Sequence, residues 1–566
     1  MVLFLKSSSA TAAPSANIAK TNFLTDFYDK FPKTYNMYII AFVSTIGGLM
    51  FGFDISSVSS FLSQEYYLKF FDSPDTITQG GISASMAGGS FIGSLIASYI
   101  SDPLGRRVSL QVSSMFWMIG ALIQSSSQNR AQLICGRFIS GFGIGISSST
   151  APSYVSEISP KKIRGTMGGI FQWSVTIGIM VMFFIGYGCT FIDGVGSFRL
   201  AWGLQIVPGL MLFVGVPFLP ESPRWLANHG QWSKAEDIVA RINSKGDLED
   251  PEVIIELKEI KEQVLIDEDA KDVTFLELFN KTNIKRTTVG MCGQMWQQMC
   301  GMNVMMYYIV YIFEMAGYTG NTNLVASSIQ YVIFVVMTAP ALFFLDKVGR
   351  RPLLLIGAVL MAAFLFAVGA ILAVYSEPTT DFDGNENITI SIPDSNKAAA
   401  KALIACSYLF VATFGPTWGP GIWLYCSEIF PNRIRAKANG VSTSVNWIFN
   451  FALGMFVPTA FHNISWKTYM IFGTFCVVLF FNVYFLFPET QGKTLEEIDQ
   501  MWQDGVPAWR TKNYVVELPP LGEVFEEKAS AREVENASSD DNATVDETRF
   551  RLQSTERVRE VNVEEV

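Results

Sequence analysis

Apolar runs of membrane-spanning length recur along this chain and constrain its fold more than any other feature. There are twelve, at about 36–58, 80–101, 109–127, 132–153, 163–187, 198–219, 287–316, 324–346, 353–375, 400–425, 436–459 and 467–487. Helix of about 20 residues crosses the ~30 Å hydrocarbon core of a bilayer. A span has to be helical, because lipid offers its backbone no hydrogen-bond partner. The sequence therefore predicts an all-α polytopic membrane protein with twelve transmembrane helices. With 49% hydrophobic and only 16% charged residues, an ordinary soluble globule is excluded. The first 35 residues hold no apolar core with a small-residue cleavage site, so no cleaved signal peptide is expected and the first span directs insertion.

Lysine and arginine gather in alternate loops: Arg106 and Arg107; Lys161, Lys162 and Arg164; residues 220–286; Lys347, Arg350 and Arg351; Arg433, Arg435 and Lys437. The positive-inside rule puts these loops in the cytoplasm, and an even number of spans then puts both termini there. This divides the chain into a cytoplasmic N-terminal segment (1–35), a six-helix bundle (36–219), a cytoplasmic linker (220–286), a second six-helix bundle (287–487) and a cytoplasmic tail (488–566). The linker stretch "PEVIIELKEIKEQVLIDEDA" has apolar residues at helical spacing. After an amphipathic piece near "KTLEEIDQMW", the tail has the composition of a disordered segment. A formal net charge of −10 argues against an acidic partner such as nucleic acid. Seven cysteines form no closely spaced ligand cluster, and the chain has no clustered nucleophile or phosphate loop, so neither a metal, a cofactor nor an enzymatic activity is expected.

The two halves echo one another. "SDPLGRR" (101–107) follows span two and "LDKVGRRP" (345–352) follows span eight; "SEISPKKIRG" (156–165) follows span four and "SEIFPNRIRA" (427–436) follows span ten. Internal duplication of this kind marks transporters, whose substrate site lies between the halves near the midplane. The repeated loops combine an acid, a turn glycine and two arginines able to grip carboxylates. They are read as a cytoplasmic latch of Arg106, Arg107, Glu157, Arg164, Arg350, Arg351, Glu428 and Arg435, which ties the halves together when that side is closed. Plain topology signalling is the alternative.

From about residue 36 to 500 the chain resembles the sugar porters of the major facilitator superfamily, and among them the fungal hexose and pentose transporters. The resemblance rests on "DPLGRR", "GRFISGFGIG" (136–145), "PESPRWL" (220–226), "QQMCGMNVMMYY" (297–308), "DKVGRRP" and "PETQGKTLEEI" (488–498). It implies a major facilitator fold in two six-helix halves, importing a monosaccharide such as glucose or xylose across the plasma membrane by alternating access. The functional unit is expected to be a monomer in the lipid bilayer.

A neutral sugar calls for amides to pair with its hydroxyls and aromatic rings for its less polar face. Span seven supplies Gln297, Gln298 and Asn303, with Gln298 and Asn303 expected on one broad helical face. Gln172 lies in span five, and Asn446 stands beside Trp447 in span eleven. By resemblance, Gln172, Gln297, Gln298, Asn303 and Asn446 fall on sugar-bonding positions and Trp423 on the stacking tryptophan. Phe51 then matches an aromatic contact, and Tyr307 and Tyr308 match an outer lid. Interhelical glue is the competing role for membrane amides. One position departs from the pattern: Phe334 stands where many family members carry an asparagine. A phenyl facing the cavity removes a hydrogen bond and narrows the space, which disfavours a hexose relative to a pentose; against a neighbouring helix or lipid it does neither.

Asp54, in "GGLMFGFDISS" of span one, is a carboxylate where ionisable groups are costly and usually functional. Arg137 in the glycine-rich fourth span is the available partner, and Gly136, Gly141, Gly143 and Gly145 let a second helix come close. By resemblance the two form the switchable pair of proton-coupled porters, which gives sugar:proton symport. The alternatives are a structural ion pair in a facilitative uniporter, and a sugar sensor that does not transport. Asn387 opens an outer-loop glycosylation sequon; Asn536 and Asn542 open sequons in the cytoplasmic tail, where topology argues against their use.

Overall fold

The computed structural model describes residue 28 and residues 30–62, 64–160, 163–269, 274–379, 388–431, 434–493 and 495–514. The sequons at Asn387, Asn536 and Asn542 and most of both terminal segments lie outside these residues.

The first half is built from α1 (Met37–Ser56), α2 (Thr76–Leu104), α3 (Arg106–Ser125), α4 (Arg130–Ile158), α5 (Arg164–Cys189), α6 (Gly196–Leu204) and α7 (Ile206–Gly215). A linker follows, with α8 (Pro223–Asn228), α9 (Trp232–Ser244) and α10 (Pro251–Asp269). The second half runs through α11 (Ile284–Met299), α12 (Met302–Tyr307), α13 (Ile309–Met315), α14 (Gly320–Thr338), α15 (Ala341–Val348), α16 (Arg350–Tyr375), α17 (Lys397–Phe414), α18 (Trp418–Ile429), α19 (Arg435–Ile464) and α20 (Lys467–Leu486). A short α21 (Leu495–Gln503) and a 3-10 turn (Ala508–Asn513) follow, and the strands among the described residues are a two-residue pair, β1 (Glu377–Pro378) and β2 (Ile390–Ser391).

All twelve expected spans fall on helix, and among the described residues ten helical runs are long and apolar enough to cross a membrane. The two that fall short are the ones that carry chemistry. α4 holds Arg130, Arg137 and a string of serines and glycines, while α11 to α13 hold the amides and are broken twice. The unbroken seventh span expected from hydropathy is thus corrected. Gly301, at φ +90°, turns the chain between α11 and α12, and a second kink follows at Tyr308.

Small residues let the helices approach. A Cβ on Gly141 would lie 2.1 Å from the Met86 carbonyl of α2, and one on Gly143 would lie 2.5 Å from the Ser113 carbonyl of α3. Gly52 does the same between α1 and α5, where a Cβ would meet the Val175 carbonyl at 2.1 Å and the Ile179 amide at 2.6 Å. Both obstacles are backbone, so they cannot rotate away. Gly52→Val is therefore expected to cost at least about 1–3 kcal/mol, read as a lowered melting temperature and reduced membrane abundance beside a Gly→Ala change at the unobstructed Gly440.

The linker helices pack on one another. Trp225, Leu226, Ile238, Val239, Val253 and Ile260 form a core of their own, and Trp225 Nε1 donates to the Asp102 carbonyl (2.8 Å), docking the linker on the first arginine loop. Flanking segments brace each half. Tyr28 lies under the Arg107 guanidinium (4.9 Å), and burial raises its phenol to about 12, so it stays neutral. Trp509 stacks on Tyr484, which also lies under the Arg351 guanidinium (5.2 Å).

Candidate functional site

Eight side chains expected at a substrate site line one cavity: Phe51, Gln172, Gln297, Gln298, Asn303, Phe334, Trp423 and Asn446. The cavity itself is tight, about 40 Å³, opening into a wider space among the same lining side chains. Phe51 and Gln172 come from the first half and the other six from the second, so the cavity sits between the duplicated halves.

The amides of the second half form a single chain. Gln297 Nε2 donates to the carbonyls of Trp418 (3.1 Å) and Gly419 (3.0 Å), where the chain turns into α18. Asn446 Nδ2 donates to Gln297 Oε1 (2.8 Å) and Gln294 Oε1 (2.9 Å), and its Oδ1 accepts from Gln298 Nε2 (2.8 Å). Gln298 Oε1 in turn accepts from Asn303 Nδ2 (2.6 Å). Asn303 does not share a continuous helical face with Gln298, as the sequence suggested; the turn at Gly301 folds it back onto Gln298 instead. Each amide fixes the orientation of the next, so the cavity presents a preorganised row of donors and acceptors. Gln294 is the member that sequence reasoning missed. Its signal was an amide one helical turn before Gln297.

Aromatic and apolar groups complete the walls. Trp423 is half-buried at the edge, and Phe51 packs edge-on against Trp447 at 4.9 Å. Phe334 faces the cavity and lies 6.1 Å from Phe414, a second lining ring the sequence did not single out. Ile55, Val175, Ile179, Met302 and Met306 fill the rest. Tyr307 and Tyr308 line a separate narrow crevice that shares Asn303 with the cavity. Both are buried, with Tyr307 Oη donating to Asn450 Oδ1 (3.3 Å) and Tyr308 Oη to the Gly454 carbonyl (3.0 Å).

Asp54 and Arg137 meet at 3.0 Å and are both excluded from solvent. Ser140 Oγ donates to Asp54 Oδ2 (2.8 Å), and Arg137 Nη1 donates to Ser57 Oγ (2.8 Å). Neither charge lines the cavity. Phe51 and Ile55 of the same helix do, so α1 carries both a cavity wall and the acid of the ion pair. Ser57 and Ser140 were not foreseen, because a serine within a small-residue helix looks like any other spacer.

The arginine loops are held by nearby carboxylates and carbonyls. Arg106 pairs with Glu157 (3.1 Å) and Asp102 (3.3 Å), Arg107 with Glu221 (3.3 Å), and Arg350 with Glu428 (2.8 Å). Arg106 and Arg350 find these partners within their own halves and Arg107 at the start of the linker, in a form closed at the far face; the latch between halves is expected for the opposite form, closed at the arginine-loop side. Arg351 donates to the Tyr484 carbonyl (2.9 Å) and Arg435 to the Phe430 carbonyl (2.9 Å); the Arg164 side chain is outside the described residues. Two carboxylates not singled out from sequence hold the turns themselves. Glu221 accepts the backbone N–H groups of Arg106 (3.0 Å) and Arg107 (3.4 Å), and Glu489 accepts those of Arg350 (3.1 Å) and Arg351 (3.2 Å). Both cap the open N-terminus of the helix that follows the turn. The turns need glycine: Gly105 and Gly349 have φ of +90° and +98°, and a Cβ on either would lie within 2.6 Å of the capping carboxylate.

On the side away from these loops the halves are joined. Tyr187 Oη donates to Asn321 Oδ1 (2.6 Å), Tyr331 Oη lies 3.5 Å from Ser59 Oγ, and every residue from Val304 to Ala316 is buried. The cavity is closed at this far face.

A duplicated helical bundle with an amide-lined cavity between its halves defines a membrane transporter for a small polar solute. The chain belongs to the sugar transporter family: the family described as Sugar (and other) transporter matches residues 40–502. A high-affinity glucose transporter of Kluyveromyces lactis is 61% identical over 87% of this chain and 90% of its own length. The high-affinity glucose transporter 1 of Candida albicans is 57% identical over 90% of this chain and 93% of its own. Among solved structures, the proton:xylose symporter XylE bound to 6-bromo-6-deoxy-D-glucose superposes with a TM-score of 0.69 at 26% identity, covering 82% of this chain and 99% of that one. The protein is thus a sugar transporter of the major facilitator fold, not an enzyme.

Proposed function

We propose that this protein imports glucose across the plasma membrane together with a proton, with the arginine-loop face and both termini in the cytoplasm. The observation that carries the proton is the buried Asp54–Arg137 pair, one helical turn from cavity-lining Phe51. Ionised, Asp54 neutralises Arg137 and ties α1 to α4. Protonation removes one charge and leaves the other buried without its partner, a change worth about 3–5 kcal/mol in buried pairs. That is ample to favour a rearrangement of α1, and with it of Phe51 and Ile55 against the sugar. Substrate and coupling ion then report to each other through a single helix. The sugar hydroxyls take up the amide groups left free by the Gln297–Asn446–Gln298–Asn303 chain, and Trp423 covers a ring face.

Glucose is the preferred reading because both fungal relatives are named for it. Uptake of labelled glucose by cells lacking their own hexose carriers, with and without a proton gradient, tests the assignment; binding without uptake contradicts it. Phe334 is proposed to set the balance between sugars. Phe334→Asn is expected to lower the glucose KM relative to xylose by about threefold or more, the scale of one recovered hydrogen bond. An unchanged ratio in competition assays would mean that the ring only fills space.

A further inference from the structure

The span formed by α11 to α13 is broken, and a break leaves carbonyls short of the amides that would otherwise take them up. Side chains of α14 donate to carbonyls on either side of the Tyr308 kink. Gln330 Nε2 donates to the Met305 carbonyl (3.1 Å), Tyr331 Oη to that of Met306 (2.8 Å), and Asn323 Nδ2 to that of Val310 (2.9 Å). Two of these donors are oriented from behind: Ser407 Oγ donates to Gln330 Oε1 (2.6 Å) and Ser327 Oγ to Asn323 Oδ1 (3.1 Å). All five side chains are buried, and none lines the sugar cavity. Tyr331 also reaches the first half, with its ring 4.6 Å from Phe183 and its oxygen 3.5 Å from Ser59 Oγ. The limb they hold, α12, carries Asn303 and Met306 into the cavity.

We infer that Gln330 and Tyr331 are positioning residues which clamp α12 against the first half, fix Asn303 in the amide chain, and set the population of the far-closed form. Opening the far face requires α12 to leave the first half, and the Tyr331–Ser59 contact is lost with it. The clamp therefore favours one state over the other, and weakening it moves apparent sugar affinity in opposite directions at the two faces. A merely structural contact lowers the amount of active protein and leaves that ratio alone. The inference rests on sugar transport and not on proton coupling.

Tyr331→Phe removes one oxygen and keeps the ring. In oriented vesicles it is expected to lower the KM for glucose presented at the far face and raise the KM at the arginine-loop face, each by about fivefold, the population change one hydrogen bond controls. Gln330→Leu should do the same. Two KM values that stay put, or that move together, would overturn the inference. If Gln330→Leu fails to reach the membrane, Tyr331→Phe decides alone, with its folded fraction taken from a sugar-protected melting curve.

Discussion

Asp54→Asn is expected to abolish sugar accumulation while sugar exchange survives. The substitution keeps the shape of the side chain and an acceptor for Ser140 Oγ, and removes the charge that faces Arg137 at 3.0 Å. A carrier that moves one proton per sugar draws about 2.3 kcal/mol from each ~100 mV of membrane potential, about a fiftyfold concentration ratio. Without a group that titrates at this place the ratio falls to one. Exchange needs only the cavity, which Asp54 does not line. Because a lone buried Arg137 costs stability, the double change Asp54→Asn with Arg137→Gln is the control: it restores folding and leaves accumulation absent. Concentrative uptake by a well-folded Asp54→Asn protein would remove Asp54 from the coupling.

Asn446→Leu carries the second large effect. Asn446 is the hub of the amide chain, bonded to Gln294, Gln297 and Gln298, and it is almost wholly buried. A leucine there strands polar atoms on all three partners, each at a cost of about 1–3 kcal/mol. The orientation of Gln298, and through it of Asn303, is lost as well. The glucose KM is expected to rise at least about thirtyfold, equivalent to ~2 kcal/mol, with a smaller change in maximal rate per folded molecule. A KM within threefold of the parent would mean that the amides serve as interhelical glue, the reading that membrane amides otherwise invite.

The parts of this architecture that depend on local composition are legible in the amino-acid sequence. Hydropathy places the helices because the bilayer imposes one length and one backbone solution. The duplicated arginine loops reveal two related halves, and amides in otherwise apolar helices mark the cavity. What could not be read depends on where the chain leaves regular geometry. Nothing in "QQMCGMN" dictates that Gly301 turns left-handed and swings Asn303 back onto Gln298. Nor does an alternation of arginines and acids say which pairs close. Glu221 and Glu489 lie more than 100 residues from the amides they cap, so nothing local announces that they hold the arginine loops. Ser140, Gln294 and Tyr331 escaped for a related reason: each acts through a neighbour, and only packing supplies the neighbour.

The central claim is that sugar and proton move together through one carrier. Its most direct test is proton flux on sugar addition to proteoliposomes containing the purified protein and a pH-sensitive dye. With glucose added outside and no imposed gradient, the lumen is predicted to acidify at a rate that saturates with glucose, and Asp54→Asn is predicted to erase the signal. Glucose that equilibrates across the same membranes with no change in lumenal pH would contradict the account and leave a facilitative carrier braced by an inert ion pair.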